Sequence, residues 1–389
     1  MDLRMLRVDQ NGSLIRPLPV LDAFERHAHG RASDEELRAV QDEAIRAAIR
    51  QQEAIGLPVV SDGEFRRRNF QGSFGKAVSA YDVPAQVATL TDWREPNNPL
   101  HRTEQNFDAA GPAITTRRPV TERLRFKHNV LLDEYRFAAS VAKQPVKVAL
   151  IGPDRIAQRF AWEKSQAVYK DIDEFIADVV AIERQMIKEL VDAGCRYVHI
   201  DAPGFTAYVD QVSRDRMRAR GEDPERNLER GIAAENAVIA GFDGVTFGLH
   251  ICRGNPRGVD PATGKIMPQW HREGHYDSIA ERLFGSLKHH RLLLEYDSER
   301  AGDFTPLRFV PKDKIAVLGL VTTKSAELET KDALKRRIED ATRYLPLEQL
   351  ALSPQCGFNS GGDRGLQLSE AEQWRKFERI RETAEEVWG

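Results

Sequence analysis

The run GVTFGLHIC places His250 and Cys252 one residue apart at the end of an apolar, strand-like stretch. Side chains two residues apart on a β-strand point the same way, so an imidazole and a thiolate share one face. Glu295 ends the apolar run RLLLEYD, and Cys356 ends the run LALSPQC. Histidine, cysteine and carboxylate are the ligands that Zn²⁺ takes in proteins. The chemistry predicted is a zinc site that makes a bound thiol nucleophilic, with the ligands His250, Cys252, Glu295 and Cys356.

An H-x-C pair alone is weak evidence, because a buried cysteine on a strand is usually inert core. Two features strengthen the prediction. Cys356 lies in PQCG, where glycine lets the backbone approach a ligand closely. Glu295 follows three leucines, where an unpaired carboxylate is costly. Three anionic ligands would leave the zinc site with a net negative charge, which suits the release of a reactive sulfur. Cys195 lies at the opposite strand end and is predicted to be structural.

Two carboxylates also follow strand-like runs: Glu64 in SDGEFRR and Asp201 in HIDAP. Such a pair can do acid–base work or hold an ammonium group. The structural alternative is a helix cap or a loop salt bridge. Gly12 and Ser13, near the first strand, can offer backbone N–H groups to a carboxylate. Together with a thiol-binding metal, these residues predict an amino-acid thiol such as homocysteine as the substrate.

The chain has 389 residues, with 57 basic and 60 acidic side chains and a formal net charge of −3. A nearly balanced charge predicts neither a nucleic-acid partner nor an anionic membrane partner. Three cysteines cannot form a disulfide framework, which fits a reducing compartment. No signal core and no apolar window of about 18 residues is present, so we expect a cytoplasmic protein without a membrane span.

Helical and strand-like patterns alternate along the chain. Ser33 and Glu36 form a capping box, and Gly56 ends that helix. The same pattern of a capping residue and a terminating glycine recurs over 171–194. Alternation with short buried strands predicts a parallel α/β sheet, and eight strands favour a single (β/α)8 TIM barrel spanning 1–389. An open doubly wound sheet is the alternative, but no glycine-rich dinucleotide motif supports it. The eight runs are 6–9, 57–60, 146–152, 197–201, 244–251, 291–296, 314–321 and 350–354.

Two stretches interrupt this alternation. Residues 65–120 are rich in Arg, Asn, Pro, Gln and Thr, and we expect an inserted lid or subunit-contact loop there. Residues 253–276 follow Cys252, and their glycine and proline content predicts an irregular active-site loop.

These residues together resemble the catalytic barrel of cobalamin-independent methionine synthase. The matching segments follow the family's order across nearly the whole chain: DQNGSLIRP, GLPVVSDGEFRR, YVHIDAP, GLHIC, LLLEYDSERAGDF, VLGLVTTKSAELET and LALSPQCGF. The resemblance implies zinc ligation by His250, Cys252, Glu295 and Cys356. It also implies substrate-binding roles for Ser13, Glu64 and Asp201. The implied reaction methylates homocysteine from methyltetrahydrofolate and gives methionine.

The sequence departs from the family at several points. It resembles the shorter, single-barrel branch, without the N-terminal barrel that helps to hold the folate tail. The family's D-E-P is Asp201–Ala202–Pro203, so one carboxylate is replaced. Lys324 aligns with the family's acid histidine, and we expect Lys324 and Asp201 to be catalytic. A lysine with its ordinary pKa of about 10.4 is a weaker acid at pH 7 than histidine unless it is buried.

Several alternatives stay open. The methyl donor is folate by default, but a smaller methylated compound or a methyl-carrying protein would also serve, and homo-oligomer formation is undecided. The same zinc thiolate can open an epoxide, as in coenzyme M transferases. A thiol-binding or zinc-binding protein without turnover and a zinc-free decarboxylase-like barrel are further alternatives. Four ligand-type residues at strand ends count against the last.

Overall fold

The computed structural model describes residues 2–67, 72–81, 119–254, 257–259, 266–268, 272–359 and 368–389. Its strands are β1 Lys147–Ile151, β2 Tyr197–Asp201, β3 Thr246–Ile251, β4 Arg257–Val259, β5 Ile266–Pro268, β6 Arg291–Glu295, β7 Ile315–Val321 and β8 Leu350–Pro354. Six of them form one sheet in the order β1-β2-β3-β6-β7-β8, and every neighbouring pair is parallel. All residues of these six strands are buried, as expected for strands covered on both faces.

Two further segments extend this sheet around the barrel. Val8 forms a parallel bridge with Leu352 of β8, and Val60 forms one with Val146, next to β1. The eight segments thus follow one another in the order of the sequence. The segment at Val60 lies parallel beside β1, and the segment at Val8 lies parallel beside β8, at the two edges of the six-stranded sheet. This arrangement confirms the predicted α/β architecture of TIM-barrel type.

The segments 6–9 and 57–60 are not full strands, which corrects the prediction for these two runs. Between them, the side-chain amide of Gln10 donates a hydrogen bond to the carbonyl oxygen of Val59 at 3.0 Å. A side chain thus makes a link that a backbone ladder makes elsewhere. Pro58 has no N–H group and cannot contribute to a ladder.

The helices are α1 Leu18–Ala28, α2 Asp34–Ile55, α3 Gly72–Ala77, α4 Val130–Val141, α5 Pro153–Gln158, α6 Ile172–Asp192, α7 Gln211–Ala219, α8 Pro224–Ile239, α9 Asp277–Ser286, α10 Lys331–Thr342 and α11 Glu370–Trp388. Helix α2 begins behind the predicted capping box of Ser33 and Glu36, and it ends at Gly56 with a φ of 86°. Helix α6 begins behind Asp171, whose carboxylate accepts the N–H of Glu174 at 2.8 Å. These boundaries confirm the helix signals in the sequence.

The interior of the barrel is charged at its amino-terminal end. The carboxylate of Asp9 accepts hydrogen bonds from Lys147 at 2.7 Å, from Arg291 at 2.8 Å and from Tyr197 at 2.6 Å. Burial alone would raise the pKa of Asp9, but Lys147 and Arg291 hold it well below its usual range. The three donors are the first residues of β1, β6 and β2, so one buried acid connects three strands.

The two predicted insertions are only partly described. Most of 65–120 lies outside the described residues, at 68–71 and 82–118. Within 253–276 the structure describes an antiparallel pairing of β4 with β5, so this stretch is not wholly irregular as predicted. Pairing two short strands satisfies backbone groups that a loop would leave to water. Within the part of the chain that the structure covers, every helix is too short or too polar to span a bilayer.

Candidate metal centre and active site

The predicted site residues lie at the carboxyl ends of neighbouring strands. Asp201 ends β2 and Glu295 ends β6. His250 is the last residue but one of β3, Cys252 follows that strand directly, and Cys356 lies two residues beyond β8. Because all these strands are parallel, their carboxyl ends meet at one mouth of the barrel.

Three of the four predicted ligands come together. His250, Cys252 and Cys356 are buried, and their ligand atoms all lie within 4.8 Å of one another. In a tetrahedral site with Zn–S bonds of about 2.3 Å and Zn–N bonds of about 2.0 Å, ligand atoms stand roughly 3.3–3.8 Å apart. Imidazole and thiolate are also the donors that zinc prefers. The residues therefore fit a zinc ion on both spacing and chemistry.

Asp201 lies behind this group rather than in it. Its Oδ1 atom contacts Nδ1 of His250 at 2.9 Å and Nε2 of His199 at 2.9 Å. Nε2 of His250 faces the other way, 3.3 Å from the carbonyl oxygen of Gln355. A carboxylate on the far nitrogen of a ligating histidine fixes its tautomer and ring orientation. His199 was not predicted as a site residue, although its position two residues before Asp201 places it on the same face of β2.

The electrostatics of Asp201 support this bridging contact. Burial would raise the pKa of Asp201, but His199 and His250 hold it well below its usual range. Burial, with help from the nearby charge of Lys147, lowers the pKa of His199 to about 4. Near neutral pH the pair therefore consists of an ionised carboxylate and an uncharged imidazole.

The two cysteines differ in their electrostatics. Cys252 and His250 donate hydrogen bonds to the sulfur of Cys356 and hold the pKa of that thiol well below its usual range. The same contact and burial raise the pKa of Cys252 well above its ordinary value. Burial would lower the pKa of His250, but Asp201 and Cys356 raise it to about 10. Hydrogen bonds thus link the three side chains. A metal ion that binds there would displace the protons of these hydrogen bonds.

Glu295 is not part of the group of three. The carboxylate is fully buried, and its Oε2 atom accepts the backbone N–H of Arg253 at 3.0 Å. Its Oε1 atom pairs with the guanidinium of Arg300. The negative charge is close enough to raise the pKa of Cys252. The arginine five residues later in LLLEYDSERAG was the signal for this competing partner.

Ser13 and Glu64 flank the loop that carries Cys356. The N–H of Phe358 donates to the carbonyl oxygen of Ser13 at 2.9 Å. A Cβ atom at Gly357 would overlap the Ser13 hydroxyl, and one at Gly12 would lie 2.9 Å from a carboxylate oxygen of Glu64. The two glycines therefore allow this close approach. Both predicted substrate-binding side chains are brought to the barrel mouth.

Glu64 is buried and strained, since its φ is 59°. Residues without a glycine's freedom hold this conformation only when their surroundings enforce it. Burial raises the pKa of Glu64 to about 8, and Arg67, 3.6 Å away, opposes that rise. The carboxylate of Asp201 is among the charges that raise it further. Two acids with opposite pKa shifts thus face the same mouth, a pattern typical of functional sites.

Lys324 lies just beyond β7 and is half-buried. The hydroxyl and N–H of the neighbouring Thr323 both donate to the side chain of Gln355 at 2.8 Å, next to Cys356. The charge of Lys324 adds to the hydrogen bonds that lower the pKa of Cys356. Burial raises the pKa of Asp297 to about 7, and Lys324 is among the charges that oppose this rise. Asp297 is thus an acid near Glu295 and Lys324 that was not predicted as a site residue.

Cys195 lies before β2, at the other end of the barrel, as predicted. Its thiol is buried and 3.4 Å from the carbonyl oxygen of Tyr197, and burial raises its pKa to about 12. The flanking residues Gly194 and Arg196 line a cavity of about 610 Å³ at that end. This cavity is remote from the metal-binding group, so its size carries no argument about the chemistry.

Comparisons with known proteins agree with this geometry. Residues 22–254 match the family described as Cobalamin-independent synthase, Catalytic domain. The uncharacterized protein YxjH of Bacillus subtilis is 34% identical over 387 residues, which cover 98% of this chain and 94% of the relative. A protein named methionine synthase from Saccharolobus solfataricus is 23% identical over 352 residues, which cover 89% of this chain and 86% of the relative.

A solved structure agrees as well. The crystal structure assigned as a vitamin-B12 independent methionine synthase from Listeria monocytogenes has a TM-score of 0.73 and 26% sequence identity. The match covers 99% of this chain and 98% of that chain. The family match, the relatives and the barrel agree on one assignment. This chain belongs to the cobalamin-independent methionine synthase family and carries that family's catalytic barrel.

Proposed function

We propose that the protein is a zinc-dependent methyltransferase that moves a methyl group from a donor to a thiol. Homocysteine is the proposed acceptor, methyltetrahydrofolate the default donor and methionine the product. The observation that carries the proposal is the buried group of His250, Cys252 and Cys356, whose ligand atoms lie within 4.8 Å of one another. Names of relatives add support, since several distant ones are called methionine synthases.

The proposed metal ligands are His250, Cys252, Cys356 and Glu295. Glu295 already accepts hydrogen bonds from Arg300 and from the N–H of Arg253, so any metal contact would use the remaining lone pairs of its carboxylate or displace one of these donors. Zinc held there supplies Lewis acidity, which makes a bound thiol ionise near neutral pH. Asp201 serves the site by orienting His250 through its Nδ1 atom, which refines its proposed catalytic role.

The proposed substrate contacts follow from the other side chains at the mouth. Ser13 and the backbone around it take the carboxylate of the amino acid. Glu64 and Asp201 take its ammonium group, and the strong pKa contrast between them supports a shared cationic partner. In the reaction, the thiol proton leaves to water, a sulfur–carbon bond forms to the methyl group, and the bond from that methyl group to the donor nitrogen breaks. The donor amine gains a proton, and Lys324 is the proposed source.

A screen of acceptors against donors tests this function. The zinc-loaded protein is incubated with homocysteine, coenzyme M or a simple thiol, each with methyltetrahydrofolate or an S-methyl donor, and products are identified by mass spectrometry. Methionine formed only with zinc present is the expected result. An epoxide adduct without any methylated product would replace the proposal with epoxide opening. Zinc binding without turnover for any pair would leave a binding protein.

A further inference from the structure

Among the described residues, two buried arginines near the mouth have no ion pair and leave several of their N–H groups without hydrogen bonds. Arg155 lies in α5, behind β1, and is 1% exposed; Arg272 is 3% exposed. Nε of Arg155, and Nε and Nη2 of Arg272, form no hydrogen bond. Neither guanidinium forms an ion pair with an acid of the described chain. Buried polar groups are almost always satisfied, and buried charges are normally paired, so this pair requires an explanation.

Arg272 lies next to the proposed metal ligand Cys252. Its Nη1 atom donates to the carbonyl oxygen of Pro203 and to the hydroxyl of Thr206 at 3.2 Å. That hydroxyl donates in turn to the carbonyl oxygen of Cys252 at 3.0 Å. Nη1 of the guanidinium is thus fixed to the Pro203–Tyr208 turn after β2. Nε and Nη2 donate no hydrogen bond to the described residues.

Arg155 is fixed to the same turn. Its Nη1 atom donates to the side chain of Gln158 at 3.4 Å, and the amide of Gln158 donates to the carbonyl oxygen of Gly204 at 3.1 Å. Burial lowers the pKa of Arg155, and the positive charge of Arg272 lowers it further. The two cations are therefore close enough to repel each other.

The nearest acids are committed to other groups. Asp154 accepts hydrogen bonds from the hydroxyl of Tyr208 at 2.6 Å and from Gln158 at 3.0 Å. Asp210 accepts the backbone N–H of Ser213 at 2.8 Å and that of Glu273 at 3.1 Å. Among the described residues, no acid thus forms an ion pair with either arginine, and the charges of Asp154 and Asp210 act on the pair only from a distance.

We propose that Arg155 and Arg272 form an oxyanion-binding subsite, and that it takes a carboxylate, sulfonate or phosphate group of the methyl donor. Guanidinium groups bind such planar or tetrahedral oxyanions through paired N–H donors. The assignment to the donor rests on the proposed function, in which Ser13 and Glu64 already hold the amino-acid end of the acceptor. A donor without a negative group would leave both cations uncompensated.

The proposed subsite should lower the stability of the anion-free protein. Two buried cations without counter-ions destabilise the fold, and a bound oxyanion relieves that repulsion. Replacing one arginine by an uncharged residue should therefore preserve or raise stability while weakening anion binding. Such a trade-off between stability and function marks a binding residue, whereas a structural residue would lose stability on replacement.

The test uses the full-length, zinc-loaded protein and the variants Arg155→Gln and Arg272→Gln. Inorganic phosphate, sulfate and acetate are the probes. Titration calorimetry measures their binding, and thermal unfolding measures the midpoint temperature at each probe concentration. At least one probe should raise the wild-type midpoint by several degrees as its concentration rises. Each variant should bind that probe at least tenfold more weakly, with unchanged zinc content and an anion-free midpoint no lower than that of the wild type. Arg196→Gln, an exposed arginine at the opposite end of the barrel, should behave as wild type.

Wild-type probe affinity in both variants, or no binding of any probe to the wild type, would overturn the proposal. Arg155→Lys and Arg272→Lys cover the case in which glutamine disrupts folding, because lysine keeps the charge and loses the paired donors. For these variants, a probe affinity tenfold below wild type is the expected result, and unchanged affinity counts against the subsite.

Methyl transfer is measured separately, so the two proposals can fail independently. If the probes bind through the arginines but no methyl transfer is detected, the proposed function is wrong and the subsite is supported. In an active protein, the glutamine variants should raise the KM for the donor at least tenfold, with a smaller change in KM for homocysteine. A rise confined to homocysteine would overturn the assignment to the donor, and no rise in either would overturn the subsite.

Discussion

At the scale of single residues, the orientation of His250 decides how the metal-binding group is built. Asp201 holds its Nδ1 atom, so Nε2 is turned toward the cysteines. His199 contacts the same carboxylate oxygen from the other side. The carboxylate therefore supports the proposed metal site and is also a candidate for substrate contact.

Replacing Asp201 tests this support. We expect Asp201→Asn to weaken zinc affinity about 10–100-fold, because the imidazole of His250 loses its fixed tautomer and orientation. Competition with a zinc chelator of known affinity measures the change. His199→Gln should weaken zinc affinity less, since the contact of His250 with the carboxylate remains. Equal zinc affinity in Asp201→Asn and wild type would remove the supporting role.

The thiolate of Cys356 is the most strongly activated ligand of the group. We expect Cys356→Ser to abolish both bound zinc and methyl transfer while leaving the barrel folded, because the site rests on a core that is already closed. Metal analysis and far-UV circular dichroism measure the two effects. Cys195→Ser, at the other end of the barrel, should keep wild-type zinc content. Full zinc and full activity in Cys356→Ser would show that the ligands are misassigned.

At the scale of elements, one buried carboxylate connects three strands. Asp9 pairs with Lys147 and Arg291, both fully buried at their side chains. These contacts join the segment before α1 to β1 and to β6, whereas the Val8 bridge joins it to β8. The network thus helps to hold in place the segment from which Ser13 projects.

Removing the acid leaves two buried cations without a counter-ion. We expect Asp9→Asn to lower the free energy of unfolding by about 3–5 kcal/mol, measured by urea denaturation. The exposed pair of Lys188 with Asp192 provides the control, and Asp192→Asn should change stability little. A loss for Asp9→Asn no larger than for this control would contradict the role of the network.

Helices α6 and α8 each carry a buried glutamate, Glu183 and Glu235. Burial raises the pKa of both well above the ordinary value. The charge of Glu235 raises the pKa of Glu183 further, and the charge of Asp154 raises that of Glu235 further. The folded state therefore retains protons that the unfolded chain releases above a pH of about 4.3. The stabilisation that these two protonated acids contribute is fully present below that pH, and it is lost as the pH rises toward their pKa in the folded state.

Glutamine removes the ionisation and keeps the shape. We expect Glu235→Gln to reduce the loss of unfolding free energy between pH 5 and pH 8 relative to wild type, as measured by urea denaturation. Glu229→Gln, on the exposed side of the same helix, should leave the wild-type loss unchanged. An identical pH dependence in Glu235→Gln and wild type would show that this acid titrates normally.

At the scale of the whole molecule, the barrel does not depend on the metal for its closure. The backbone pairing of the sheet and the charged network at the amino-terminal end do not require the side chains of His250, Cys252 or Cys356. A metal that binds only the folded state stabilises it by mass action, but does not create it. Stability and chemistry are thus divided between the two ends of one barrel.

Removal of the metal tests that division. A chelator should lower the thermal midpoint and abolish methyl transfer, while the far-UV circular dichroism and a cooperative transition persist. Restored zinc should recover both midpoint and activity. A chain that loses its secondary structure on chelation would instead be folded by its metal, as small zinc domains are.

Local chemistry in the sequence determined much of this protein. Short apolar runs predicted the strands, capping signals predicted α2 and α6, and strand-terminal residues predicted which side chains gather at the mouth. The family resemblance pointed to the same barrel and the same four ligands, of which the structure brings His250, Cys252 and Cys356 together. These inferences succeed because side-chain direction and strand polarity follow from position along the chain.

Only the tertiary structure decided which partner each side chain takes. Glu295 pairs with Arg300, Asp201 holds two histidines, and Gln10 replaces part of a strand ladder. That several nitrogens of Arg155 and Arg272 form no hydrogen bond with the described residues is likewise visible only in three dimensions. The physical reason is that hydrogen bonding and desolvation depend on distances between segments far apart in sequence, and no local pattern encodes those distances.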